Sequence, residues 1–122
     1  MDLNTPYVSL RTFRKSNEPV DTPVWFAATN AKTLYVFSAG NAGKVKRIRN
    51  SPESEISPCD WKGNGTDSWT KCKAYLVSNE QEQLIAYQAL NNKYGWQMKI
   101  LDFFSGISGK IKQRAVIQLK LD

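Results

Sequence analysis

Apolar and polar residues alternate along most of this chain, and the alternation predicts a mainly β fold. Over Tyr7–Phe13, Val8 and Leu10 fall on one face of a strand and Tyr7 and Phe13 on the other. The polar turn Lys15-Ser16-Asn17-Glu18 leads to a second strand over Pro19–Ala28, rich in Val, Trp and Phe. Its Pro19 and Pro23 call for an edge or a bend, because proline cannot donate to a central ladder. Thr29–Lys32 turns the chain into Thr33–Ser38, the clearest strand, and two successive hairpins make an antiparallel meander. Glu55–Trp61 and Trp69–Val77 follow as strands joined by the turn-rich Lys62–Asp67. Arg114–Leu121 closes the chain, with Ala115, Ile117 and Leu119 alternating against Val116, Gln118 and Lys120.

Helical spacing interrupts this pattern after the third and fifth strands. Gly40–Pro52 reads as a small-residue loop entering a short helix, with Asn41 as N-cap and Pro52 just past the stop. Val45 and Ile48, three apart, form its buried edge. Ser78 and Gln81 have the spacing of a capping box for a helix over Glu80–Tyr94 that packs Leu84, Ile85, Tyr87 and Leu90, and Gly95 suits its end. Trp96–Phe104 predicts a further short helix with Trp96, Ile100, Phe103 and Phe104 on one face, and Ser105–Gly109 a loop. Six antiparallel strands of these lengths suit a small closed barrel. A hairpin centred near Gly65 and Thr66 would bring Cys59 close to Cys72, as a disulfide or as two buried thiols. Trp25, Phe26, Trp61, Trp69 and the Trp96–Phe104 segment are more apolar surface than one small barrel interior needs, which leaves some of it for a subunit interface.

Charge adds a location. The 122 residues suit one domain, with a net charge of +6. No acid lies between Asp21 and Glu53, while Lys32, Lys44, Lys46, Arg47 and Arg49 all do. Such a stretch suits phosphates, an acidic ligand or nucleic acid, or serves as a solvated basic surface. Arg47 and Arg49 sit near the C-terminal end of the first helix, where its dipole favours cations. Lys44 sits in the first turn, where the dipole does not, and an anion on the free backbone N–H groups would resolve that conflict. The loop is no Walker sequence, since Gly43-Lys44 lacks the earlier glycine and the following Ser or Thr. The absence of histidine removes Ser-His and Cys-His nucleophilic sites, and two cysteines cannot build a Cys-rich metal centre. An enzyme of this composition relies on a cofactor for reactivity. No apolar run approaches the roughly 20 residues that span a bilayer, and Met1-Asp2-Leu3-Asn4 lacks signal-peptide character, so the expected location is cytoplasmic.

Several stretches, in order, resemble one family. They are Leu10–Lys15, Pro19–Phe26, Leu34–Ser38, Gly43–Pro52, Pro58-Cys59-Asp60 with Gly63, and Lys93-Tyr94-Gly95. Together they are similar to the pyridoxamine 5′-phosphate oxidase-like flavin-binding split barrels, most of all to the branch that uses the deazaflavin coenzyme F-420. The resemblance implies a six-stranded antiparallel split β-barrel of Greek-key type. It also implies a homodimer with two cofactor sites along the interface. Lys44 and Gly43 would then hold the cofactor phosphate, with Ser38 and Phe37 close by at the end of the third strand. Thr22, Pro23, Val24 and Trp25 would run beside the tricyclic ring, and Arg47 and Arg49 would reach a phosphate or an acidic tail. Ala42 stands where many relatives have a hydroxyl, and the first hairpin lacks the usual glycine. The implied function is hydride transfer between bound coenzyme F-420 or FMN and a small substrate, with no protein acid or base identifiable. The alternatives are a non-catalytic flavin- or haem-binding barrel and a nucleic-acid-binding barrel, although the aromatics do not interleave with the cations of Lys44–Arg49.

Overall fold

A computed structural model of the protein describes residues 5–39, 42–60, 65, 68–94 and 114–122. Strands β1 (Tyr7–Phe13), β2 (Pro19–Val24), β3 (Phe26–Asn30) and β4 (Thr33–Ala39) precede helix α1 (Gly43–Asn50). Then come β5 (Glu53–Cys59), β6 (Thr70–Val77), helix α2 (Glu80–Tyr94) and β7 (Arg114–Leu121). The strands form one antiparallel sheet in the order β2-β1-β5-β6-β7-β4-β3.

The sheet has seven strands where the sequence pattern predicts six. The run expected as one strand over Pro19–Ala28 divides at Trp25. Its first part pairs with β1, Val8 opposite Val24, and its second with β4, Phe26 opposite Val36. The two edge strands of the sheet are therefore consecutive in sequence, and the sheet curls until its margins meet at Trp25. A side chain helps set the break: the Phe26 N–H donates to the Tyr94 hydroxyl at 2.9 Å.

One core fills the concave face. Val8 and Leu10, Val24, Phe26, Leu34 and Val36, Ile56, Cys72 and Ala74, and Ile117 and Leu119 bring all seven strands into a single apolar cluster. Helix α1 adds Ile48 to that cluster and also buries Val45. Burial of each contributes roughly 1.5–3 kcal/mol. That packing holds a short helix whose N-cap is Ala42, not Asn41, with no side-chain cap bond. Helix α2 packs on the convex face, where Ala27, Tyr35, Val77 and Val116 meet Ala86, Leu90 and Tyr94.

Four local expectations move. Leu84 and Ile85, expected to pack, are exposed on α2, which buries Ala86, Leu90 and Tyr94 instead. Asn79 caps α2 in place of Ser78, its side-chain oxygen accepting from the Glu82 N–H at 3.0 Å. The fourth predicted strand runs over Glu53–Cys59. In its ladder Cys72 lies opposite Ser54 while Cys59 bridges to Gly65, so the pairing register separates the two cysteines and both are free thiols. Asn41, Trp61, Gly95, the predicted helix over Trp96–Phe104 and the loop after it lie outside the described residues. No helix among the described residues is long and apolar enough to cross a membrane.

Candidate functional site

The basic segment becomes a cluster at the start of α1. No acidic residue occupies the first turn. The carbonyl of Ala42 accepts from the N–H groups of Val45 and Lys46, at 3.1 and 3.4 Å. The Gly43 and Lys44 N–H groups have no backbone acceptor among the described residues, the ordinary condition of a helix start.

Arg47 lies over this same turn. Its Nε donates to the buried Thr12 Oγ1 of β1 at 2.6 Å. A Cβ added at Gly43 would stand 2.7 Å from the Arg47 Nη1, so glycine leaves the guanidinium room to lie across the helix mouth. Lys44 is half-buried, and burial first, then the Arg47 charge, lowers its pKa below the usual lysine value. Arg47 is lowered by burial and then by Arg14. Among the described residues no carboxylate forms an ion pair with Lys44 or Arg47. Arg14 has only an exposed contact to Glu18 at 3.6 Å. Two half-buried cations thus repel one another beside unpaired amides, an arrangement that an anion would stabilise.

The other expected site residues divide between two faces. Thr22 and Val24 share the concave face of β2 with the side chains that pair across β1, and Val24 is part of the core. The Thr22 Oγ1 is buried and has no hydrogen-bond partner among the described residues. Ser38 is buried near the end of β4. Pro23 is exposed. Trp25 and Phe37 lie on the other side, packed under α2: Trp25 stacks on Tyr94 with ring centroids 4.5 Å apart, and Phe37 tilts against Tyr87 at 5.8 Å. The structure therefore joins Gly43, Lys44 and Arg47 at one helix mouth and Trp25 with Phe37 beneath α2. Arg49 stands exposed toward the end of α1, outside the contact that joins Arg47 to Thr12.

Sequence reasoning missed Thr12 and Tyr94 as parts of this site. Thr12 is a polar residue in an alternating strand, and only its buried position marks it. Tyr94 accepts from the Phe26 N–H and shares its own proton between the carbonyls of Pro6 and Phe26, each at 2.8 Å. Burial pushes its phenol up to about 12. It fixes the turn at Trp25 on which the sheet closes. Among the described residues no cluster of His, Cys, Asp and Glu could hold a metal ion.

No protein-family model matches the chain, and no curated protein matches it. Solved structures do. The heme storage protein HutZ from Vibrio cholerae superposes with a TM-score of 0.71 at 14% identity, over 96% of this chain and 82% of that one. A putative pyridoxamine 5′-phosphate oxidase from Listeria innocua gives 0.60 at 16% identity, over 96% and 84%. An F-420 reductase gives 0.61 at 17% identity, over 98% and 90%. Identities this low speak to architecture, and the architecture agrees with the curled seven-stranded sheet and its two helices. The fold of this chain is that of the pyridoxamine 5′-phosphate oxidase-like split-barrel proteins.

Proposed function

We propose that this chain is a cytoplasmic flavin- or deazaflavin-dependent oxidoreductase that holds the phosphate of its cofactor at the mouth of α1. The observation that carries the reading is the pair of half-buried cations, Lys44 and Arg47, with no carboxylate partner among the described residues, beside the Gly43 and Lys44 amides, which have no backbone acceptor there. The fold is shared with an F-420 reductase and a putative pyridoxamine 5′-phosphate oxidase, which supports the class of cofactor. Coenzyme F-420 and FMN both bring a phosphate group, and the long acid-free segment suits the additional carboxylates of coenzyme F-420.

The residues present fit such a group. Lys44 and the two amides would take the phosphate, and Thr12 would keep the Arg47 guanidinium aimed across it. The buried Thr22 hydroxyl, without a hydrogen-bond partner among the described residues, is available to a polar edge of the ring. Trp25, held by Tyr94, would position β2 along that ring. A bound flavin or deazaflavin supplies hydride transfer, and the chain contributes binding, orientation and water exclusion. A homodimer would complete the groove, as the excess of apolar surface and the family resemblance both suggest.

Fluorescence titration with FMN and with coenzyme F-420 tests the reading. Lys44→Ala should weaken binding of the preferred cofactor by roughly 1.5–3 kcal/mol, the worth of a charged hydrogen bond. Unchanged affinity would remove Lys44 from the site, and failure of both cofactors to bind would end the proposal. A second reading, a haem- or flavin-binding protein without catalysis, is favoured by the HutZ likeness. The lack of histidine leaves Tyr, Cys or Met as the available iron ligands, so a haem titration tests haem binding, and reduction or reoxidation of the bound flavin by candidate substrates separates catalysis from binding alone.

A further inference from the structure

A cavity of about 490 Å³ lies between the turn that follows β1 and the junction of α1 with β5. Its volume is in the range of small-molecule sites. The β1 turn contributes Arg14 and Lys15, with the Phe13 side chain beside them, and the junction contributes Asn50, Ser51 and Glu53. Both walls are pinned by backbone bonds. The Arg14 N–H donates to the Glu18 carbonyl at 2.9 Å, and the Asn17 N–H donates to the Arg14 carbonyl at 2.8 Å. Across the cavity the Ser51 N–H donates to the Arg47 carbonyl at 3.0 Å, and the Ala74 N–H to the Pro52 carbonyl at 2.8 Å. Fixed backbone walls spare part of the ordering cost of binding, and the exposed side chains that line them still have to be ordered.

The charges on the two walls differ in sign. Lys15 has no ion-pair partner among the described residues, and Arg14 reaches Glu18 only at 3.6 Å. Glu53 reaches Lys73 only at 3.8 Å, and it stands beside the C-terminal end of α1, where the helix dipole is negative. Long, exposed pairs of this kind contribute little stability, so these side chains are free to reorient toward a ligand. A simple anion would satisfy Arg14 and Lys15 but meet Glu53, and a simple cation would meet the reverse. A molecule with a carboxylate at one end and an ammonium at the other satisfies both, with Phe13 as an apolar wall between.

We propose that this cavity binds an amphoteric small molecule of amino-acid or dipeptide size, its carboxylate on Arg14 and Lys15 and its ammonium on Glu53. The cavity shares no lining residue with the α1 mouth, although Arg14 also repels Arg47 there, so the dipeptide and the cofactor are titrated separately and either can fail to bind without the other. Isothermal titration calorimetry of the full chain with glycyl-phenylalanine, its N-acetyl derivative and its C-terminal amide tests the assignment. The parent dipeptide should bind, and each blocked form should bind about tenfold more weakly, the low end of one charged hydrogen bond. Glu53→Gln should abolish the preference over the N-acetyl form, and the double substitution Arg14→Gln with Lys15→Gln should abolish the preference over the amide. Equal binding of the parent and its N-acetyl form would make this an anion pocket and overturn the proposal. Absence of binding by all three at millimolar concentration would also overturn it. So would displacement of the dipeptide by whichever cofactor the protein binds, because the cavity would then belong to the cofactor site.

Discussion

Replacing Tyr94 with phenylalanine removes one oxygen and nothing else, at the place where the sheet closes. The ring remains to stack on Trp25 at 4.5 Å and 13°. What disappears is the acceptor for the buried Phe26 N–H, at 2.9 Å, and the donor shared by the carbonyls of Pro6 and Phe26, at 2.8 Å each. Phe26 is wholly buried, so water cannot take the place of the hydroxyl without rearrangement. A stranded buried donor costs about 1–3 kcal/mol and the lost donated bond a further 0.5–1.5 kcal/mol, for a total of about 1.5–4.5 kcal/mol. Against a domain stability of about 5–15 kcal/mol this is a large fraction. Urea unfolding followed by tryptophan fluorescence measures it directly, and Tm should drop by roughly 3–5 °C for each kcal/mol. The pH profile supplies a control. Burial raises the Tyr94 phenol from 10.0 to about 12, so its contribution is intact below pH 10 and is lost as pH climbs toward 12. Tyr94→Phe should remove that share of the alkaline loss. A stability loss below about 1 kcal/mol would refute the claim that this hydroxyl holds the closure.

Other substitutions probe the site and its frame. Thr22→Val removes a buried hydroxyl that has no partner among the described residues, so it should raise the unfolding free energy by up to about 1 kcal/mol while weakening cofactor binding; destabilisation by denaturant titration would count against an available hydroxyl. Cys72 is buried, and burial first and the nearby carboxylates next push its thiol from 9.0 up to about 12. Its raised value places its contribution below pH 9, to be lost between pH 9 and 12, and Cys72→Ala should flatten that part of a Tm-against-pH curve. Asn79→Ala should cost about 1 kcal/mol of stability in urea unfolding, the usual worth of an N-cap.

Periodicity made much of this architecture legible. The alternation over Tyr7–Phe13 and over Arg114–Leu121 gave the face that enters the core, because a strand with one buried side must alternate. The bounds Glu80–Tyr94 agree with α2 as found. The cap lies one residue later than expected because Ser78 and Asn79 have similar side-chain chemistry, and local spacing does not decide between them. The division at Trp25 was illegible for a deeper reason. Pro19–Ala28 reads as one strand with a bend, while the change of partner from β1 to β4 depends on a tyrosine 68 residues beyond Phe26. The cysteine register failed similarly, since it depends on how many residues the turn after Cys59 consumes. At the site, the sequence pointed to Lys44 and Arg47 through the missing acids. It gave no sign that Thr12 would anchor the guanidinium, because that contact spans 35 positions.

The meeting of both sheet margins at Trp25 limits how this protein can vary in length. Adding one residue between Val24 and Phe26 would force β2 to slip along β1 or β3 along β4, and a slip by one turns every inward side chain outward. The hairpin at Lys15–Glu18 carries no such obligation, because its extra length projects into solvent. An insertion at that outer turn would leave the strand registers intact and disturb only the cavity beside Lys15 and Asn17, whereas the single-residue joint at Trp25 acts as a fixed gauge for the circumference of the barrel.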